Sequence, residues 1–392
     1  MASKSAVRFG VVGSGIGGLL VREILKYKPR NLRVTAVADI VREKADALAA
    51  QAGAKAFYDA YEMIDSGLID VLLIATPHYL HPPLAIYAAR KKLHVITEKP
   101  IAVTVGPARM MLEEARKNKV ALGVVFNNRT RPVWRKMHEM IAAGAVGDIV
   151  RVQLITTNWY RTQAYYNSGA WRGTWQGEGG GILLNQAPHF LDVMLWMGGV
   201  PKKVLATVST RTHKIEVENT AHAILDYGNG RTGSIVATTA ETPGMNQLTV
   251  VGDKGTLVGN GDDTLRYAKV SPSLTKHITT ATDAWSNPKV TWKDIAIPAS
   301  DESGYVNINK AFAEHILSGK PMIASGADGL AQLELSNAIY LSGFRNQAVE
   351  LPVDAAKMER LLDELIRTRG AGKGMDLRKE AKREMARVLK SS

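Results

Sequence analysis

The sequence predicts an α/β fold: a doubly wound parallel sheet at the N-terminus, then an α+β unit built on a large, mainly antiparallel open sheet. Three observations carry this. Short, continuous apolar runs alternate with helical patterns up to about residue 126. A glycine-rich turn joins the first of these runs to the first helix. Beyond 126 the runs lengthen and alternate polar with apolar residues, with hairpin signals between them. Continuous apolar strands belong to a parallel sheet covered on both faces, and alternating ones to a sheet with one solvated face.

In chain order, the patterns predict strands over 7–12, 34–38, 71–75, 94–97 and 120–126, with helices over 16–27, 42–51, 82–90 and 105–118 between them. A helix over 132–143 ends at Gly144. Strands follow over 149–158, 203–210, 219–227, 231–239, 247–251 and 290–297. Gly228-Asn229-Gly230 and Gly252-Asp253-Lys254-Gly255 are turn signals between them. Helices return over 306–318, 329–347 and 354–369, and Gly370-Ala371-Gly372-Lys373-Gly374 breaks the chain. The expected units are therefore 1–126, 127–369 and a basic tail over 370–392.

At 392 residues the chain is long enough for two or three domains, and 45% hydrophobic residues is an ordinary globular composition. No apolar run approaches the roughly 20 residues needed to span a bilayer, and no signal-peptide pattern is present. A cytoplasmic protein with no membrane partner is expected. Cysteine is absent, which excludes disulfides, thiolate chemistry and cysteine-ligated zinc. The net charge of +13 is mostly diffuse. Residues 373–392 hold seven Lys/Arg and three Asp/Glu, and read as a solvated, partly helical tail. Leu377, Ala381, Met385 and Val388 share one face of it, a face able to dock on a neighbour. No nucleic-acid motif accompanies the charge, so no nucleic-acid partner is expected.

Gly13-Ser14-Gly15-Ile16-Gly17-Gly18 fits G-x-G-x-x-G through Gly13, Gly15 and Gly18, after a strand and at the start of a helix. That context is what the motif requires to bind a dinucleotide. The first glycine permits a tight turn, the second lets backbone approach a pyrophosphate, and the third lets helix and strand pack closely. The amides around Ile16 then offer free N–H groups to phosphate. Asp39 ends the next strand, where a carboxylate accepts from ribose hydroxyls and repels a 2′-phosphate. NAD is expected before NADP, which Arg42 leaves as the lesser option. The plain alternative is an unliganded turn, with Asp39 capping the helix over 42–51.

Two further segments are Ala75-Thr76-Pro77-His78-Tyr79-Leu80-His81 followed by Thr97-Glu98-Lys99-Pro100, and Gly179-Gly180-Gly181-Ile182-Leu183-Leu184-Asn185-Gln186-Ala187-Pro188-His189-Phe190-Leu191-Asp192. With the glycine motif, over about residues 6–355, they resemble the Gfo/Idh/MocA oxidoreductases in order and spacing. The resemblance implies that Lys99 and His189 are catalytic. It also implies that Thr76, Pro77 and Glu98 face the nicotinamide half of the cofactor; His81 and Lys99 are further candidate cofactor contacts. The family's usual aspartate four residues before the histidine is here Asn185, so the charge of the site is in question. On the residues alone, Lys99 lies past the carboxyl end of a parallel strand, where open α/β sheets bind ligands. Its ammonium suits an oxygen that gains alkoxide character, and an imidazole suits the hydroxyl proton. At i and i+4, Asn185 and His189 would share one helical face.

Asn158, Trp159, Tyr160, Arg161, Gln163, Tyr165, Tyr166, Trp171 and Arg172 crowd before the triple glycine. Aromatic faces suit a pyranose and Arg, Gln and Asn suit its hydroxyls; the alternative is a loop packed by its own rings. Asn127, Tyr160, Arg161, Gln163, Trp171, Arg172, Asn185 and His189 are the candidate substrate contacts. His78 and His81 invite a metal reading. Prolines follow directly and no H-E-x-x-H occurs, so no metal is expected. The resemblance implies hydride transfer between NAD and a ring carbon of a sugar, glycoside or anhydrosugar, with C3 preferred, in a homodimer or homotetramer. A redox-neutral enzyme that holds NAD through a transient keto-sugar is the second reading, and a non-catalytic sugar-responsive regulator the third.

Overall fold

The structure is a computed structural model that describes residues 6–299, 302–370 and 374–390. The glycine-rich break at 371–373 lies outside them. The N-terminal unit runs β1 (Val7–Val12), α1 (Ile16–Tyr27), β2 (Leu32–Ala38), α2 (Arg42–Ala52), β3 (Lys55–Phe57), α3 (Ala60–Asp65), β4 (Val71–Ile74), α4 (His81–Arg90), β5 (His94–Thr97), α5 (Val105–Asn118) and β6 (Leu122–Val124). Its six strands are all parallel, in the order β3-β2-β1-β4-β5-β6. The four residues of β4 are fully buried, as a strand covered on both faces requires. Since the sheet is parallel, the ends of β1, β4 and β5 open on one edge, and the site is built there.

The second unit begins with α6 (Pro132–Ala142), β7 (Ile149–Thr156), α7 (Gln163–Asn167), α8 (Pro188–Gly198), β8 (Lys203–Ser209), β9 (Thr220–Gly228) and β10 (Arg231–Thr238). It continues with β11 (Asn246–Gly252), β12 (Gly255–Asn260), β13 (Leu265–Ser271), α9 (Leu274–Thr280), β14 (Lys289–Asp294), α10 (Gly304–Ser318), α11 (Gly326–Arg345), β15 (Val349–Glu350) and α12 (Ala355–Arg369). Nine strands form one sheet, in the order β14-β13-β12-β11-β7-β10-β9-β8-β15, in which only β10 and β7 run parallel. The strand β9 alternates buried and exposed residues, so one face of the sheet packs inward and the other meets solvent.

Helix α11 joins the units. A capping box between Ser325 and Asp328 starts it. Ser336 on its buried face donates to the Leu183 carbonyl, and Asn337 bonds the backbone of Val103 and Val105. Arg109 of α5 pairs with Glu334 at 2.6 Å. The tail is not the solvated segment expected. It forms α13 (Leu377–Lys390), whose Leu377, Ala381 and Val388 are buried. Arg90 of α4 donates to the Val388 carbonyl, and Arg378 pairs with Glu359 and Asp363 of α12. The shared apolar face outweighs the tail's charge, because its basic residues remain on the opposite side or find carboxylates.

Candidate active site

The glycine turn is shaped by sterics. Gly13 has φ +92°, and a Cβ there would sit 2.5 Å from the Ala75 carbonyl oxygen. A Cβ on Gly15 would meet open space, so that backbone is approachable. The close helix–strand contact falls on Gly17, whose added Cβ would strike Val11 and Ala75. This corrects the role expected of Gly18, where only the flexible Arg22 and, farther off, Leu48 come near. No side chain caps α1, which begins at Ile16, so its first amides remain available.

Asp39 leaves β2 beside this turn. Its Oδ2 accepts from the Ser14 N–H and hydroxyl at 2.8 and 2.5 Å, and its Oδ1 from the Val41 N–H. Burial raises its pKa, but these bonds and Lys44 hold it below the ordinary value, so it is a carboxylate. Arg42 stacks on Tyr58, 4.1 Å from the ring centre.

Thr76, Pro77, Glu98 and Lys99 follow β4 and β5 at the same edge. Thr76 Oγ1 and Glu98 Oε1 are buried with no partner among the described residues. Burial pushes Glu98 up to about 7, against the pull of Lys99. His81 is fully buried, with its ring nitrogens 2.9 Å from the carbonyls of Pro100 and Thr76. Burial holds it neutral, down to about 4, although both carbonyls pull the other way. Neutral, it donates to only one of these carbonyls; buried between the two loops, it does not face open space, which corrects its expected cofactor contact. His78 is likewise buried, and its Nδ1 lies 3.0 Å from the Glu178 carbonyl. Among the described residues no group of three or more metal-ligating side chains occurs.

Beside this edge lies a cavity of 270 Å³ lined by Lys99, Asn127, Asn128, Arg131, Trp159, Arg161, Asn185, Gln186, His189, Phe190, Asn246 and Tyr305. Lys99 Nζ donates to the Asn185 backbone carbonyl at 2.6 Å. Burial lowers its pKa, while Glu98 and Glu178 pull it back up. His189 is 8% exposed, and its Nδ1 has no partner among the described residues. Burial, then Lys99, hold the ring well below the ordinary imidazole value, so it is neutral.

The segment before α8 departs from the expected helix. Asn185 lies in a turn that precedes Pro188, so it and His189 do not share a helical face. Proline lacks the N–H that would carry the helix back through this turn. The bends are held instead by Glu218, whose buried carboxylate accepts from Gly181 and Leu183 N–H and from the Tyr340 hydroxyl. Burial pushes Glu218 up to about 7 against these bonds. The Asn185 amide does not reach His189: it donates to Glu178. Below, Arg129 forms a buried fork onto Asp192 of α8 and reaches Asp328 of α11, fixing the Asn127 turn against both helices.

Of the expected substrate contacts, Asn127, Arg161, Asn185 and His189 come together in this cavity. Arg172 and Trp171 do not line it; the Arg172 guanidinium lies over the Trp171 and Tyr165 rings. Tyr160 is 53% exposed and Gln163 spends its amide on Lys214 and Asn167; neither lines the cavity. Sequence reasoning passed over Asn246 and Tyr305, which arrive from β11 and α10. It also passed over Glu178, where flanking glycines read only as loop.

Residues 7–126 match the oxidoreductase family with an NAD-binding Rossmann fold, and residues 134–258 match the GFO/IDH/MocA C-terminal domain. The chain belongs to the Gfo/Idh/MocA family. It is an oxidoreductase with an NAD-binding domain, and its turn fits the cofactor: Gly13 and Gly15 leave backbone approachable, α1 is uncapped, and Thr76 and Glu98 offer unpartnered oxygens. Among Gfo/Idh/MocA relatives, a Thermotoga maritima myo-inositol 2-dehydrogenase is 25% identical over 88% of this chain and 98% of its own. The WlbA dehydrogenase of Bordetella pertussis, solved with NADH and UDP-GlcNAcA, is 28% identical, with a TM-score of 0.74 over 89% of this chain and all of that one. A levoglucosan dehydrogenase solved with NADH and levoglucosan shares the fold at 24% identity, with a TM-score of 0.75 over 89% of this chain and all of that one. Among the described residues no helix is long and apolar enough to cross a membrane.

Proposed function

We propose that the chain is an NAD-dependent dehydrogenase that oxidises a ring hydroxyl, at C3, of a sugar, glycoside or anhydrosugar. One observation carries the reading: Lys99 and His189 line a single cavity at the edge where the glycine turn opens. The turn at Gly13 and Gly15, with Asp39, would hold NAD, which would supply the hydride acceptor for the carbinol carbon. Lys99 Nζ, steered by the Asn185 carbonyl, donates to the reacting oxygen and stabilises its alkoxide character. His189, neutral and with an unpartnered nitrogen, accepts the hydroxyl proton. Trp159 offers an apolar face to the ring, and Asn127, Arg161 and Asn246 offer polar groups to its other hydroxyls. The inositol- and sugar-nucleotide-linked names of the relatives support a polyhydroxylated ring.

The solvent face of the nine-stranded sheet supports an oligomer. Leu205 and Ile224 are cross-strand neighbours on it, 48% and 63% exposed. Two copies joined across this face would cover them.

A panel of methyl glycosides, anhydrosugars and inositols with NAD, followed at the nicotinamide absorbance and by product mass, tests the function. The reading expects NADH and a product lighter by two hydrogens. Product without net NADH would favour the redox-neutral reading. Sugar binding without turnover would favour the regulator.

A further inference from the structure

Glu178 is 2% exposed, yet the proposed chemistry leaves it no task. Its Oε2 accepts the Gly173 N–H at 2.6 Å, a backbone group that cannot turn. Its Oε1 accepts the side-chain amide of Asn185. The same Nδ2 also points to the Tyr165 hydroxyl, 3.4 Å away. Asn185 therefore directs its NH2 into the protein. Its Oδ1 has no partner among the described residues, and Asn185 lines the cavity. Burial pushes the Glu178 carboxyl up to about 7, against the Gly173 N–H and the Asn185 amide. Once ionised it only accepts hydrogen bonds, and so permits one of the two amide orientations.

We propose that Glu178 is a positioning residue: it turns Asn185 so that the carbonyl oxygen meets the substrate, which selects a hydroxyl donor beside the carbon that loses hydride. This rests on the function proposed above. Lys99 Nζ binds the backbone carbonyl of the same Asn185, so the two grips fall on neighbouring oxygens of one ring. The substrate class is then a ring with adjacent hydroxyls. Here a neutral amide does the accepting work, and its carboxylate stands one contact behind.

The test is an exchange of charge between the two positions. In Glu178→Gln the single amide oxygen is taken by Gly173 N–H, so the new NH2 faces Asn185 and flips it. Asn185 would then offer donors to the cavity. For the panel sugar that the unaltered protein oxidises best, KM should rise on the order of tenfold to a hundredfold, with kcat changed only a few-fold. In Asn185→Asp two carboxylates meet, and one keeps its proton to a raised pKa. Burial already raises the Glu178 carboxyl to about 7 in the unaltered protein, and the second carboxylate raises it further, so the loss of Tm that accompanies ionisation should extend to higher pH in Asn185→Asp than in the unaltered protein. The other groups near Glu178, namely Lys99, Arg172, His78 and the hydroxyls of Tyr165, Tyr166 and Tyr340, are present in every variant. Combining Glu178→Gln with Asn185→Asp should restore both KM and the pH behaviour of Tm. The carboxylate then stands at position 185, where it accepts from the amide at position 178 and keeps an acceptor for substrate. A Glu178→Gln protein with unaltered KM, or a double variant no better than its worse parent, would overturn the proposal. The Tm comparison needs no substrate. Run beside it, a Lys99→Ala protein that retains turnover would instead sink the function on which the proposal rests.

Discussion

At the scale of single residues, Asp39 has two tasks. It braces the glycine turn through Ser14 and, in the proposed function, faces the adenosine ribose. Asp39→Ser should narrow the preference for NAD over NADP and also lower Tm by a few degrees, because Ser14 loses a charged partner. Cofactor kinetics and a melting curve check both; an unchanged cofactor ratio would reject the ribose contact. His189 offers a second check. Since burial and then Lys99 depress its pKa, Lys99→Met should move its titration upward, measured by NMR of the ring. An unmoved titration would mean the two are not neighbours in the field. The sequence pointed to Lys99 through its motif and its place past a strand end, and to His189 through its motif and the glycine loop before it; both line the cavity. Glu178 was not, since a carboxylate between glycines looks the same whether buried or solvated. Asn246 and Tyr305 carry no local signal; only the fold brings them in.

At the scale of elements, the loop before α8 depends on Glu218. Its buried carboxylate holds Gly181, Leu183 and Tyr340. Glu218→Ala should cost about 3 kcal/mol, roughly one for each lost bond, and lower turnover with it. Gly181→Ala should be worse, because the new Cβ would collide with the Glu218 carbonyl. Denaturant melts rank the two, and a neutral Glu218→Ala would show that the loop is held otherwise. Removing α13 should likewise lower Tm by several degrees by uncovering Tyr79 and α4. Strand β5 and helix α5 were read to the residue: β-branched Val95, Ile96 and Thr97 mark the one, and an amphipathic repeat the other. Strands β12 and β13 escaped. Gly255 and Gly259 weaken the first, and in the second Arg266 and Lys269 fall on opposite faces and break the alternation. The turn before Pro188 was misread as helix because spacing alone cannot reveal that Glu218, from a distant segment, takes its amides.

At the scale of the whole molecule, two sheets share α11 as a brace, and the site lies where the parallel sheet ends against the second unit. The solvent face of the larger sheet gives the assembly prediction. Leu205→Glu with Ile224→Lys should convert an oligomer to monomer by light scattering without altering NAD affinity. An unaltered protein already monomeric at micromolar concentration would contradict it. The fold class was legible from periodicity, whereas the assembly face was not, since exposure along β8 and β9 depends on which side α11 covers. The central claim is that Lys99 and His189 act on one oxygen. The most direct measurement is a double-mutant cycle in kcat on the sugar identified from the panel. Lys99→Ala and His189→Ala should each lose on the order of 10²–10⁴, and the double variant far less than the product, with NAD binding kept throughout. Near-normal turnover in either single variant, or strictly multiplicative losses, would contradict the account.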